Sequence, residues 1–331
     1  MFAFNSHLYT SGKIAQMRHS WIICSPLILA LLEPAYRIDA QTNAVPTQPA
    51  ATYNLNVPVD EVVLTFHAAD SHDLPVNDLK LDELNILDNG KPPRKVLAFQ
   101  LLQDFPIRAG ILIDTSQSME EHLSGARAIS IKYAQSLLRQ QTDQAFVMDF
   151  GHSSTIIQSW TSNTIALTEG IHKGTAGGKG TAIFDAIYSA CRYEFGKIDH
   201  ATSGNFILLF SDGEDNTSHL PLKEAVDMCQ RTNTVIYAFR AAPEFGSLSG
   251  GLKTLLELTS QTGGRLFHDD DTESEIYTDL HIIEADLRNQ YRLVYKPPTL
   301  KHDGSFHPIE LKAPKRVDNI RVRSGYYSPA H

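Results

Sequence analysis

Cysteine is scarce in this sequence, with only Cys24, Cys191 and Cys229. That excludes a multi-bridge disulfide framework and a thiolate metal cluster. The fourteen histidines are scattered and form no zinc-type spacing. Basic residues form no run, and the formal net charge is -9. An acidic surface repels a phosphate backbone, which argues against nucleic acid as a partner. Long apolar runs are also lacking. The one that stands out, Trp21 to Leu32, is broken by Ser25 and Pro26 and is too short to span a bilayer. Nothing downstream approaches membrane length, so no membrane span is expected in the mature chain.

That early run has context. Lys13, Arg18 and His19 precede it, Glu33 and Pro34 follow, and small residues lead to Ala40. Basic, apolar and small segments in this order read as a secretory signal over residues 1–40, with cleavage near Ala40. Met17 is an alternative start, and an uncleaved N-terminal anchor is an alternative fate. A secreted, periplasmic or cell-envelope location follows. Export permits a disulfide, but Cys191 and Cys229 fall on helix-patterned segments that nothing in the sequence brings together. They are read as two buried free thiols. The remainder is ordinary for a globular protein, at 42% apolar and 20% charged residues. Its length suffices for one good core plus a smaller second unit.

Residues 41–52 are a polar, proline-containing linker. Residues 53–106 read as β-rich: Glu61–Phe66 is β-branched and aromatic, Asn85–Asp88 runs into an Asn89-Gly90 turn, and Lys95–Gln100 resumes beyond it. From Ala109 the pattern changes. The apolar runs Gly110–Ile113, Gln144–Phe150, Asn205–Phe210 and Thr234–Phe239 alternate with helical stretches at Glu120–Arg139, Ala182–Phe195, Leu222–Gln230, Leu252–Thr262 and Ile276–Leu287. Ser154–Ser159 and Arg265–His268 read as further strands, and Gly263-Gly264 as a helix stop. Such alternation predicts an α/β fold with a Rossmann-like, doubly wound, mostly parallel sheet over residues 107–287. Residues 288–331 return to β character at Gln290–Tyr295, His307–Leu311, Asn319–Arg323 and Gly325–Tyr327. The simplest architecture packs this segment with residues 53–106 into a β-rich flanking unit; two independent β appendages are the alternative.

In open α/β sheets, ligands bind beyond the carboxyl ends of strands. Three chemically unusual loops fall there. Asp114, Ser116 and Ser118 follow the strand Gly110–Ile113, Thr181 ends a glycine-rich loop from Gly177, and Asp212 follows the strand Asn205–Phe210. All are oxygen donors, which suits a hard cation such as Mg²⁺, with Mn²⁺ or Ca²⁺ as alternatives. Each piece has a local use. Ser118 with Glu121 would make a capping box, Thr181 an N-cap, and Asp212-Gly213 a turn. Their conjunction at the correct ends of separate elements favours a shared metal ion.

The conjunction resembles the metal-ion-dependent adhesion site of von Willebrand factor A domains: Asp-x-Ser-x-Ser, a distant Thr before a helix, and a distant Asp after a central strand. The resemblance implies hydroxyls of Ser116 and Ser118 on the metal and Thr181 bound directly or through water. It implies Asp114 and Asp212 behind coordinated waters. A position left open would accept an Asp or Glu carboxylate from a partner protein. A narrower likeness covers nearly all of the mature chain. Segments at Asp88–Pro93, Leu112–Met119, Phe210–Asn216, Gln290–Pro297, His307–Lys312 and Val322–Tyr327 resemble the VWFA-related acidobacterial-type domain. It implies a secreted bacterial protein without a defined activity.

The expectation is therefore a metal-dependent adhesion or scaffold module, not an enzyme. A metal-dependent hydrolase is the main rival, since a bound metal can activate water given a nearby general base. Glu214, Asp215 and His152 are candidates for that base. A structural protein with an idle site is the third reading. Other motifs fail. Gly174–Thr181 is no phosphate loop, because Lys179 precedes Gly180 and Lys173 occupies the first glycine position. Leu248 holds the nucleophile position in Gly246–Gly250. Ser116 stands where an aspartyl-phosphate enzyme would want a second carboxylate. Asp269–Asp271 reads as a solvated loop, and Tyr326 and Tyr327 as packing residues of the β-rich unit.

Overall fold

The computed structural model describes residues 61–174, 178–198, 203–241, 250–268, 272–299 and 302–328. The expected signal and linker, together with Gly177, Gly246–Leu248 and Asp269–Asp271, lie outside the described residues. In chain order the strands and helices are β1 (Val62–Ala69), β2 (Asn85–Asp88), β3 (Lys95–Leu102), β4 (Ile107–Asp114), α1 (Leu123–Ser136), β5 (Gln144–Phe150) and β6 (Ser154–Thr161). Then come α2 (Thr164–Lys173), α3 (Ile183–Ser189), β7 (Gly204–Ser211), α4 (Leu222–Arg231), β8 (Thr234–Arg240), α5 (Gly250–Thr262), β9 (Leu266–His268) and α6 (Glu273–Arg288). The chain closes with β10 (Gln290–Lys296), β11 (Phe306–Lys312), β12 (Asn319–Val322) and β13 (Gly325–Tyr327).

Six strands form one sheet in the order β6-β5-β4-β7-β8-β9. All its pairings are parallel except β5 with β6. The continuous apolar runs of β4 and β7 are explained by burial on both faces. Along β4, Ala109, Ile111 and Ile113 join Leu123, Ile129, Leu280 and Ile283 on one face. Leu112, between them, meets Ile183, Ile187, Val226 and Leu255 on the other. Helices thus cover both sides of a doubly wound sheet.

The remaining strands form two antiparallel sheets, ordered β12-β1-β10-β3 and β13-β11-β2. Strands from before and after the parallel sheet therefore pair directly. Phe66, Tyr291 and Phe99 stack between β1, β10 and β3, with ring centroids 5.2 Å and 5.3 Å apart along the series. The Asn89-Gly90 turn forms with positive φ at both residues. However, β2 pairs with β11 and β3 with β10, so the turn does not join a hairpin of neighbours. At its entrance the buried Asp88 carboxylate accepts the hydroxyls of Tyr295 and Tyr326, both at 2.9 Å, and lies 3.3 Å from His307 Nδ1. Tyr326 packs within this unit, as expected.

Two readings need correction. Cys191 and Cys229 are not free thiols: they form a disulfide, with Cα atoms 5.1 Å apart. The chain passes from α3 into a π-helical turn, Ala190–Glu194, which carries Cys191 inward against α4. The capping box at Ser118 is also absent. A 3₁₀ turn at Gln117–Met119 intervenes, and α1 starts after His122 with no side-chain cap. Helix α2 escaped sequence reading, although Asn163 caps it through Ile165 N and Ala166 N and Leu167 and Ile171 supply a buried i, i+4 pair.

Candidate metal centre

From β4 the chain goes first to β5 on one side and later to β7 on the other, so the sheet order reverses there. In open α/β sheets the carboxyl ends of strands at such a switch point are where ligands bind. Asp114 is the last residue of β4, and Asp212 follows the last residue of β7. Both lie where a ligand would bind.

Asp114 is fully buried. Its Oδ1 accepts the Ser116 amide at 2.9 Å, which curls the loop back over the strand end. Its Oδ2 accepts the Ser211 hydroxyl at 2.7 Å. The hydroxyls of Ser116 and Ser118 are 3.2 Å apart, the first residue buried and the second exposed. This pair therefore runs from the buried carboxylate to the surface. Thr115 anchors the loop laterally, bonding the Phe150 carbonyl through its amide and its hydroxyl.

Asp212 is half-buried, and its Oδ1 accepts the Glu214 amide at 3.0 Å. Gly213 has φ of +84°, and a Cβ there would lie 2.3 Å from the Gly251 carbonyl oxygen, so only glycine fits where this loop meets α5. Buried Thr181 joins the assembly through its main chain: its amide donates to Asn216 Oδ1 and its carbonyl accepts from Asn216 and Thr217. Structure thus links Asp114, Ser116 and Ser118 by direct bonds, reaches the Asp212 loop through Ser211, and ties Thr181 to that loop through Asn216.

Ser211 and Asn216 were not singled out from sequence. Ser211 donates to Asp114 and accepts the Gly213 amide at 3.0 Å, bridging the two carboxylate loops. Its signal was only its place between strand end and Asp212. Two side chains considered as general bases are engaged elsewhere. Glu214 accepts the Gly251 amide at 2.8 Å, in the first turn of α5. Asp215 accepts the Ser218 hydroxyl at 2.6 Å and the Phe184 amide at 3.2 Å.

Burial pushes the Asp114 carboxyl up to about 6. The Ser116 and Ser211 bonds oppose the rise and nearby Asp212 adds to it. None of these neighbours is a cation. Two carboxylates and three hydroxyls at one sheet edge fit a hard divalent ion, whose charge would offset the cost of burying Asp114. Among the described residues, no group of three or more His, Cys, Asp or Glu side chains could hold a metal ion. A zinc-type centre built from those residues is therefore not found there.

An open α/β sheet with oxygen-rich loops at its switch point defines a class of ligand-binding domain. Residues 110–214 match the von Willebrand factor type A domain, and the mostly parallel six-stranded sheet with helices on both faces is the fold of that domain. No curated protein matches it. Among solved structures it is similar to the conserved hypothetical protein BatB from Bacteroides thetaiotaomicron, with 17% identity, a TM-score of 0.45, and coverage of 54% of this chain and 97% of that one. It is also similar to proximal thread matrix protein 1 from the mussel byssus with a zinc-occupied MIDAS motif, at 15% identity and TM-score 0.48. That match covers 60% of this chain and 50% of the mussel protein. A von Willebrand factor type A protein from Catenulispora acidiphila shares 13% identity at TM-score 0.45, covering 70% and 72% of the two chains.

Proposed function

We propose that this protein captures a partner protein through a divalent cation held at the carboxyl ends of β4 and β7. Ser116, Ser118 and Thr181 would supply hydroxyl oxygens, and Asp114 and Asp212 would hold coordinated waters. A partner Asp or Glu carboxylate would complete the coordination. The observation that carries this reading is the buried Asp114 carboxylate, bonded to the Ser116 amide and the Ser211 hydroxyl, beside a hydroxyl pair that leads to the surface. With few formal charges in direct contact, the cation would remain electron-poor and attract an outside carboxylate. Mg²⁺ is the preferred ion, because compact oxygen donors suit its small octahedral shell. The engagement of Glu214 and Asp215 within the loops favours binding over hydrolysis.

We place the protein in the cell envelope or outside the cell. The basic, apolar and small-residue order of residues 1–40 supports this, as does the Cys191–Cys229 disulfide, since such bonds persist in oxidising compartments. No helix among the described residues is long and apolar enough to cross a membrane.

Capture from envelope and secreted fractions in Mg²⁺, compared with EDTA, tests the reading. The variant carrying Asp114→Ala and Ser116→Ala should lose metal-dependent capture while keeping its circular dichroism spectrum. Mg²⁺ should also raise the wild-type unfolding free energy by about 2.7 kcal/mol at roughly 100-fold excess over Kd, and leave the double variant unmoved. Capture that continues unchanged in EDTA would overturn the proposal.

A further inference from the structure

Beyond Asp212, the loop to Leu220 is bonded closely to the start of α3. Asp215 and the Ser218 hydroxyl both accept the Phe184 amide, and Ser218 also accepts that of Asp185. In return the Asp185 carboxylate accepts the amides of His219 and Leu220, each at 2.9 Å. Asn216 acts on Thr181, two residues ahead of this helix. Its Oδ1 accepts the Thr181 amide at 2.9 Å, and its own amide donates to the Thr181 carbonyl at 3.0 Å. Thr217 donates to the same carbonyl at 3.1 Å. Thr181 is therefore gripped on both sides by one side chain and two consecutive amides. The grip is tight enough to require glycine beside it. Gly180 has φ of +99°, and a Cβ there would come within 2.8 Å of Thr217 Cγ2.

The loop that grips Thr181 is the one that begins at Asp212, and Ser211 at its root bonds Asp114. We infer that Asn216 is a positioning residue that holds Thr181 in register with Asp212, so that the two loops present their oxygens to the cation as one body. The inference rests on the metal-site reading above. Its physical basis is preorganisation. Mg²⁺-sized ions demand near-octahedral placement, and a Thr181 already held by three hydrogen bonds need not be ordered when the ion binds. Asn216 would not touch the ion. The bonds it makes explain why an asparagine side chain, with an acceptor oxygen on a short stem, serves at this position.

The full chain and its Asn216→Ala and Asn216→Asp variants would be titrated with Mn²⁺ by calorimetry. Amide hydrogen exchange at Thr181 would be followed in the metal-free proteins. Alanine removes the acceptor of the Thr181 amide, whereas aspartate keeps an oxygen there. Asn216→Ala should weaken Mn²⁺ binding by about 10- to 100-fold, the range typical of outer partners that orient metal ligands. Asn216→Asp should stay near wild type. Thr181 exchange should be slow in wild type and Asn216→Asp and fast in Asn216→Ala. Wild-type Mn²⁺ affinity in Asn216→Ala, or a Thr181 amide that stays protected in it, would overturn the inference. A wild-type chain that takes up no Mn²⁺ would defeat the metal-site reading and the positioning role together, and exchange at Thr181 would then decide only whether the grip exists.

Discussion

Asp88, Asp143 and Asp286 are all buried, yet different neighbours satisfy each one. Asp88 is held by neutral donors, the hydroxyls of Tyr295 and Tyr326. For Asp143, burial raises the pKa, but the Arg288 guanidinium at 2.7 Å and the Ile107 and Arg139 amides outweigh it, so the carboxyl stays below its usual range. Asp286 goes the other way: burial pushes it up to about 7 despite the Arg321 guanidinium at 2.7 Å. Beside it, burial holds His67 down to about 4, against a raising bond from its Nδ1 to the Asn289 carbonyl. With Nδ1 donating, His67 Nε2 carries no proton in the neutral ring; it lies 3.3 Å from Asp286 Oδ1 without a hydrogen bond, while that oxygen accepts from Arg321. The pair's surroundings include Arg321, Arg265, Asp73 and Tyr237.

Between about pH 4 and 6.5 the unfolded chain binds a proton at His67 that the folded chain refuses, so this group makes stability rise with pH. Between pH 3.8 and about 7 the folded chain keeps a proton on Asp286 that the unfolded chain releases, so this group makes stability fall as pH rises. In wild type the two slopes oppose each other. Burial is the largest cause of each shift, so each should outlive removal of its partner. His67→Gln should therefore tilt stability towards low pH relative to wild type, and Asp286→Asn towards high pH. Urea midpoints at about pH 5 and about pH 7 check this, and tilts of the same sign in both variants would refute it.

Among the elements, α3 and its π-helical extension show what local pattern can and cannot carry. Ile183, Ile187 and Cys191 repeat every four residues and all are buried, so the helical reading of this stretch follows from its own residues. That Cys191 meets Cys229, 38 positions away, does not. Sequence spacing gives no distance between two helices; their packing on the same sheet face does. The bond ties the end of α3 to α4. Replacing both cysteines with serine should lower the unfolding free energy by about 2–4 kcal/mol, as for a loop of this size. A reductant should do the same to wild type in denaturant titrations and leave the double variant unmoved. Wild-type stability in the double variant would contradict that role. The 3₁₀ turn before α1 carries a similar lesson. Ser118 and Glu121 have capping-box spacing, but the Asp114–Ser116 bond sets the loop path first and leaves the Ser118 hydroxyl beside that of Ser116.

At the scale of the molecule, the antiparallel sheets depend on both ends of the described chain. Strand β1 lies between β10 and β12, and β3 pairs with β10. Tyr295 reaches Asp88 across 207 positions. Ending the chain at Asn289 would leave β1 and β3 without β10, remove Tyr291 from between Phe66 and Phe99, and expose apolar strand edges. Amides of Val62–Ala69 should then lose their protection from hydrogen exchange. Their continued protection would show that β1 is held by something other than β10 and β12.

The parts of this fold legible in sequence are those whose cause is local. Continuous apolar runs such as Gly110–Ile113 can be buried only on two faces, and three oxygen donors within Asp114–Ser118 stay close whatever the rest of the chain does. Thr181 and Asp212 could be placed in the fold because one stands just ahead of α3 and the other directly after β7. Tertiary structure alone decided the rest. It paired β2 with β11 despite a turn that faces β3, joined Cys191 to Cys229, and gave Ser211 and Asn216 their partners. A serine or asparagine in a loop has many local uses, and only the approach of separate loops selects one. The sequence supplied the oxygen donors Asp114, Ser116, Ser118, Thr181 and Asp212, and the parallel pairing of β4 with β7 at the sheet's switch point supplied the bond from Ser211 to Asp114 that joins their loops.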